Sequence, residues 1–274
     1  MDIPAPIRLP FLPTLLLVAA LGTLCGEASA AGIDRAKQRG KLVAGIHYVV
    51  PEYKGGMKYR TPETLDHALL EDVAKRLQLP LATVHAGQSR QAALLSAGRV
   101  DLALATLAES DALRRTHTVI PTGYAAGPMA IMRNDTDIKT WEQLKGRKVC
   151  VSEGGMHVGT IAARYGAVEL VYRAPADALI AVRVGDCDAT VHDSAMLEEL
   201  IKYPEWKKFS AKLPAGPHAT LAFVVPAADK KTAAFLRQVV NDWTANNHLD
   251  KQLKTAVRNI AFEVYLDQNA PDCH

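Results

Sequence analysis

The stretch A-V-R-V-G-D-C-D-A-T-V-H-D, residues 181–193, decides how this chain is read. A helix end carrying Arg183 runs into a Gly185-Asp186 turn, and Ala189, Thr190 and Val191 follow as a short apolar strand. His192 and Asp193 stand at that strand's carboxyl end. In an open α/β sheet the carboxyl ends of strands face the ligand crevice, so a carboxylate there is placed to receive a ligand ammonium. The competing reading is that Asp193 caps a helix beginning near Ser194.

Working outward, strand and helix signals alternate along nearly the whole chain. Residues 41–46 (K-L-V-A-G-I) read as a strand, ended by the turn at Pro51 and the Gly55-Gly56 loop. Residues 66–77 place Leu69, Leu70, Val73 and Leu77 on one helical face. Residues 81–85 form a strand, 91–97 a helix closing at Gly98, and 100–106 a buried strand. This βαβαβ order requires parallel pairing with right-handed crossovers. An extended run over 124–132 follows, and then the pattern restarts. A helical turn falls at 141–144, a strand at 148–151, a helix at 159–165 and a strand at 168–172. A helix at 175–184 opens on a proline suited to its first turn, and a strand covers 188–191. Residues 220–225 return the chain to the first unit, and helices over 233–246 and 249–257 finish it. Two α/β units joined by two extended segments make a cleft with a hinge, an architecture that closes around small ligands.

Composition narrows the partners. Arg8, the apolar run 11–24 and the small-residue site Ala28-Ser29-Ala30 read as a signal peptide over residues 1–30. The run is too short, and too interrupted by Pro13, for a membrane span. A lipid anchor on Cys25 is the alternative, and Leu24 before it is the wrong kind of residue for one. Cleavage takes one arginine and two acids (Asp2, Glu27) from 32 basic and 29 acidic residues, leaving 31 and 27. The charges are dispersed, with no basic stripe for nucleic acid. The expectation is a periplasmic monomer without a cofactor. Cys150, Cys187 and Cys273 remain after cleavage. If the strands holding Cys150 and Cys187 are neighbours the two can pair; otherwise they are buried thiols.

Residues 40–268 resemble the amino-acid-type periplasmic solute-binding proteins of ABC transporters, solute-binding family 3. The resemblance is carried by G-K-L-V-A-G-I at 40–46, L-L-S-A-G-R-V-D-L-A-L-A at 94–105 and the crossover at Tyr124. W-E-Q-L-K-G-R-K-V at 141–149 and V-G-D-C-D-A-T-V-H-D at 184–193 complete it. It implies a two-lobe Venus-flytrap α/β fold, each lobe a mainly parallel sheet flanked by helices, with two hinge crossovers. Lobe one would hold residues 31–124 and 222–274, and lobe two residues 125–221. The implied function is capture of an amino acid or related zwitterionic or carboxylated solute and its delivery to a membrane permease. Some general amino-acid binders look similar at both cysteines, which favours a Cys150–Cys187 bridge.

The family's acid for the ligand ammonium matches Asp193, with His192 beside it. Its arginine for the ligand carboxylate falls in the loop L-A-E-S-D-A-L-R-R-T-H-T, which departs from the pattern. Counting forward reaches Leu113, and counting back from Tyr124 reaches Arg114. One inserted residue reconciles the counts, so Arg114 is the candidate, Arg115 its rival and Ser110 the hydroxyl donor. Gly154-Gly155-Met156-His157 stands where the family reads Gly-Thr-Thr, which removes hydroxyls and leaves glycine N–H groups to meet an anion. His47 replaces a frequent acid, and Tyr53 supplies an aromatic wall or a loop-packing ring. Glu52, Tyr53 and Arg60 are candidates to reach the ligand side chain. Two other classes remain open. His47, Met156, His157 and His192 suit a metal or metal-chelate receptor, although they lack tight ligand spacing. A dehydratase-like enzyme on the same scaffold would use Glu153, Asp193 or His192.

Overall fold

The computed structural model describes Met1 and residues 31–267 except Lys54, Met57 and Thr64. The signal peptide, Cys25 and Cys273 lie outside the described residues. The first unit runs α1 (Gly32–Arg39), β1 (Leu42–Ile46), α2 (Leu65–Leu77), β2 (Leu81–His85), α3 (Gln88–Ser96), β3 (Leu102–Leu107), α4 (Leu113–Thr116) and β4 (His117–Ala126). The second runs β5 (Pro128–Met132), β6 (Lys148–Ser152), α5 (Thr160–Tyr165), β7 (Val168–Tyr172), α6 (Pro175–Val184), β8 (Ala189–Asp193), α7 (Ser194–Leu200) and β9 (Ala211–Leu213). The chain ends with β10 (Ala219–Pro226), α8 (Lys230–Ala245) and α9 (His248–Asp267).

Each lobe holds a five-stranded sheet, ordered β2-β1-β3-β10-β4 and β7-β6-β8-β5-β9. In both, a parallel three-stranded core comes from the βαβαβ run and two antiparallel strands extend one side. The two-lobe α/β fold expected from the alternating pattern is therefore present. The extended run 124–132 is broken between β4 and β5 at Gly127. A Cβ on Gly127 would overlap the backbone of Gly216, and one on Gly216 would sit 2.8 Å from Pro128 Cγ. The two interlobe crossovers thus pass in contact, and only glycine lets them do so.

Helix α9 departs from the expectation that residues 222–274 all belong with the first lobe. It runs ten residues past the sequence-based end at Val257, because Ile260, Ala261 and Val264 continue its apolar face. That face packs with α6, α7 and Trp206 of the second lobe, whereas α8 packs on the first sheet through Leu236, Val239 and Trp243. Loop 58–61 reaches the same helix. Arg60 pairs with Asp177 at 2.6 Å and with Asp267, and Thr61 N–H donates to Glu263 at 3.0 Å.

A buried carboxylate holds the first lobe's α1 to its sheet. Asp101, fully buried, accepts two bonds of 2.6 Å from Arg39 and one of 2.9 Å from Val43 N–H. Removing Asp101 breaks these bonds and leaves the buried Val43 N–H without an acceptor, at a cost of roughly 1–3 kcal/mol. Asp101→Ala is expected to lower the unfolding free energy by about that much, read from denaturant melts. A midpoint within error of the parent would refute the role.

Candidate functional site

Strands β6 and β8 are parallel neighbours, so their carboxyl ends emerge side by side toward the first lobe. The register Cys150↔Thr190 puts Ser152 beside His192, and the Cys150–Cys187 disulfide ties the two strands together below them. The lobes enclose a cavity of about 90 Å³. Its polar walls include His47, Tyr48, Glu63 and Asp66 from lobe one, Tyr124 from the crossover, and Ser152, His157, His192 and Asp193 from lobe two. Leu253, Ala256 and Ile260 of α9 form part of its apolar lining.

Asp193 occupies the N-cap position of α7, yet its side chain makes no capping bond. It turns into the cavity, where Oδ2 accepts from the Tyr124 hydroxyl at 2.9 Å and Oδ1 faces His157 Nε2 at 2.9 Å. Burial works to raise the Asp193 pKa, but the His157 bond, the His192 and His157 charges and the Tyr124 bond hold it below the usual carboxylate range. Tyr124, buried beside that carboxylate, is raised well above the ordinary tyrosine value and stays a hydroxyl donor.

Glu63 reaches across from the first lobe. Its Oε1 faces His192 Nε2 at 2.7 Å and accepts from Ser152 Oγ. His192 Nδ1 lies 2.7 Å from the Asp193 backbone nitrogen, and its Nε2 proton is aimed at Glu63. Burial disfavours a charged His192 ring, but the Glu63 carboxylate and Asp193 outweigh it and raise the pKa to about 9. Asp66, on the buried face of α2, is raised to about 7 by burial and then by the charges of Asp193 and Glu63. Among the described residues it has no hydrogen-bond or ion-pair partner. The close approach of Glu63 requires the glycines opposite it. A Cβ on Gly154 would lie 2.6 Å from Tyr48 Cδ1 and 2.7 Å from Glu63 Cβ.

Of the sequence candidates, Asp193, His192, His157, Met156, Gly154, Gly155 and His47 come together on this cavity. The others do not. Arg114 gives its Nε to Ala108 O at 2.9 Å and its terminal nitrogen to Leu107 O at 3.1 Å, bracing its own loop. Ser110, Arg115 and Glu52 are exposed outside the lining. Tyr53 is exposed with its ring 5.9 Å from that of Tyr59, and Arg60 is held by its two aspartates. The Gly155 N–H donates to Ser152 O at 2.9 Å. The start of α5 is met by Glu169, whose carboxylate accepts from Gly159 and Ala162 N–H. These backbone donors are therefore spent within the protein. His47 packs 6.3 Å from His85, and burial followed by the His85 charge lowers its pKa. Among the described residues no three His, Cys, Asp or Glu side chains converge as a metal-binding group.

Sequence reasoning missed Glu63, Asp66, Tyr48 and Ser152 as cavity residues, and saw Tyr124 only as a crossover marker. One signal was available. Asp66 lies three, four and seven residues before Leu69, Leu70 and Val73, so it is a carboxylate on an apolar helical stripe.

No protein-family model matches the chain. The amino-acid-binding protein AabA of Dichelobacter nodosus is 27% identical over 156 residues, which is 54% of this chain and 57% of that relative. The chain thus matches little more than half of that relative's length. Among solved structures, the amino acid ABC transporter substrate-binding protein AbpA from Streptococcus pneumoniae bound to L-arginine has a TM-score of 0.57 at 15% identity, covering 83% of this chain and 99% of that one. The ancestral amino-acid-binding protein AncCDT-1, a precursor of cyclohexadienyl dehydratase, has a TM-score of 0.56 at 19% identity, covering 83% and 100%. In sequence the chain is similar to an amino-acid-binding protein, and in fold it shares the two-lobe architecture of the amino-acid-type solute-binding proteins.

Proposed function

We propose that this chain is the solute receptor of an importer, capturing an amino acid or a related amine-bearing solute between its lobes and delivering it to a membrane permease. The observation that carries this reading is Asp193. It is an ionised carboxylate at the end of β8, aimed into an interlobe cavity by Tyr124 and His157 instead of capping its own helix. The similarity to AabA and the shared fold of AbpA support the same class. An exported location agrees with the leader read at residues 1–30, and no described helix is long and apolar enough to cross a membrane. Binding is favoured over turnover because Asp193, His157, Glu63 and His192 direct their hydrogen bonds at one another. A poised general base instead needs reach to a substrate proton.

A thermal-shift screen of amino acids and amines tests the reading. A true ligand at about a hundredfold over its dissociation constant adds roughly 2.7 kcal/mol to stability. At least one amine-bearing solute is expected to raise the melting temperature by several degrees. Stabilisation by none of them, or turnover of the one that stabilises, would overturn the receptor role.

A further inference from the structure

The donors and acceptors lining the cavity are out of balance. Four side chains there, Tyr124, His157, Ser152 and His192, face a partner as hydrogen-bond donors, and each faces a carboxylate of the protein itself. No lysine or arginine lines the described walls. Arg114 is spent on the carbonyls of Leu107 and Ala108, and Arg60 on Asp177 and Asp267. The N–H groups of Gly155, Gly159 and Ala162 are spent as well. Acceptors, in contrast, are in surplus. Among the described residues Asp66 has no partner, and both bonds to Glu63 fall on Oε1, leaving Oε2 open.

We propose that the cavity selects a small alkylammonium ion that carries no carboxylate, bound between Asp66 and Glu63 of the first lobe and Asp193 of the second. This rests on the receptor reading above and narrows its ligand to an amine. An ammonium brings three donors and a positive charge to a site whose open positions are carboxylate oxygens. A ligand carboxylate would meet the Glu63 and Asp193 carboxylates, whose charge His192 offsets only in part, with no guanidinium fork to receive it. The free space of about 90 Å³ has room for a compact cationic head.

The same geometry couples binding to a proton. The groups around Asp66 are Glu63 on its own preceding turn, Asp193 on β8 and Tyr124 on β4, with His157 and His192 bonded to that set. Burial, and after it the charges of Asp193 and Glu63, keep a proton on Asp66 up to about pH 7. A cation arriving beside it expels that proton, so amine affinity rises with pH through this range.

Calorimetric titration of the protein with matched pairs tests the proposal: L-arginine against agmatine, L-lysine against cadaverine, L-serine against ethanolamine. In the pairs that bind, the amine is expected to bind at least tenfold more tightly than its amino acid. It should release a proton near pH 7, read from buffers of different ionisation enthalpy, and Asp66→Asn should abolish that release. An amino acid binding as tightly as its amine overturns the amine selection while leaving the receptor reading intact. Binding by neither member of any pair overturns both. The parent protein alone decides the pair comparison, so it stands even where Asp66→Asn fails to fold. Proton release that persists in a folded Asp66→Asn removes Asp66 from the site.

Discussion

Reducing the Cys150–Cys187 bridge is expected to lower the unfolding free energy by about 4 kcal/mol. The cysteines are 37 residues apart, and cross-linking a loop of that length removes roughly that much chain entropy, expressed as free energy, from the unfolded state. Against a typical total of about 5–15 kcal/mol this is a large share. Both sulfurs are buried in the second-lobe cluster with Leu179, Val182 and Trp206. Reduction without substitution therefore keeps the packing and isolates the cross-link. Denaturant melts of the oxidised and reduced protein measure it, and coincident midpoints would sink the claim. The bridge also anchors β6 and β8 just below Ser152 and His192. Reduction should accordingly loosen ligand binding along with the fold.

Asp193→Ala is expected to cost on the order of 2–5 kcal/mol of ligand affinity, since it removes a buried charge partner and strands the Tyr124 hydroxyl and His157. Asp193→Asn keeps the shape and an acceptor for Tyr124 but loses the charge, so it separates electrostatics from packing. If both variants fold and bind as the parent does, Asp193 is no ligand residue. The pH profile separates this residue from Asp66. The Asp193 pKa is depressed, so its charge and the stability it contributes persist above the ordinary carboxylate range and fade only as pH falls through the lowered value. Asp66 is raised to about 7, so its ionised form costs stability as pH climbs from near 4 through 7. A bound cation offsets that cost.

Local pattern made Asp193 legible, because the end of a buried strand is a position that sequence can find. It did not make the choice between capping and binding legible, since both place the residue before a helix. The structure shows no side-chain cap and turns the carboxylate to Tyr124 and His157 in the cavity. Arg114 illustrates the converse. Its spacing from Tyr124 fits a ligand fork, but the short α4 turns its guanidinium back onto two carbonyls. Glu63 and Asp66 passed unnoticed because acids at the start of a helix are ordinary, favoured by the helix dipole.

The alternation of strands and helices, hence two α/β units, two crossovers and the end of β8 as a cavity-facing position, is written in the local sequence. These follow from periodicity and turn chemistry, which act over a few residues. It takes the packed lobes to place α9 against the second lobe, to carry Glu63 across to Ser152 and His192, and to give the described cavity walls carboxylates and no guanidinium. Those outcomes depend on how two separately folded sheets meet. Contacts between residues as far apart as Glu63 and His192 leave no periodic mark on the chain.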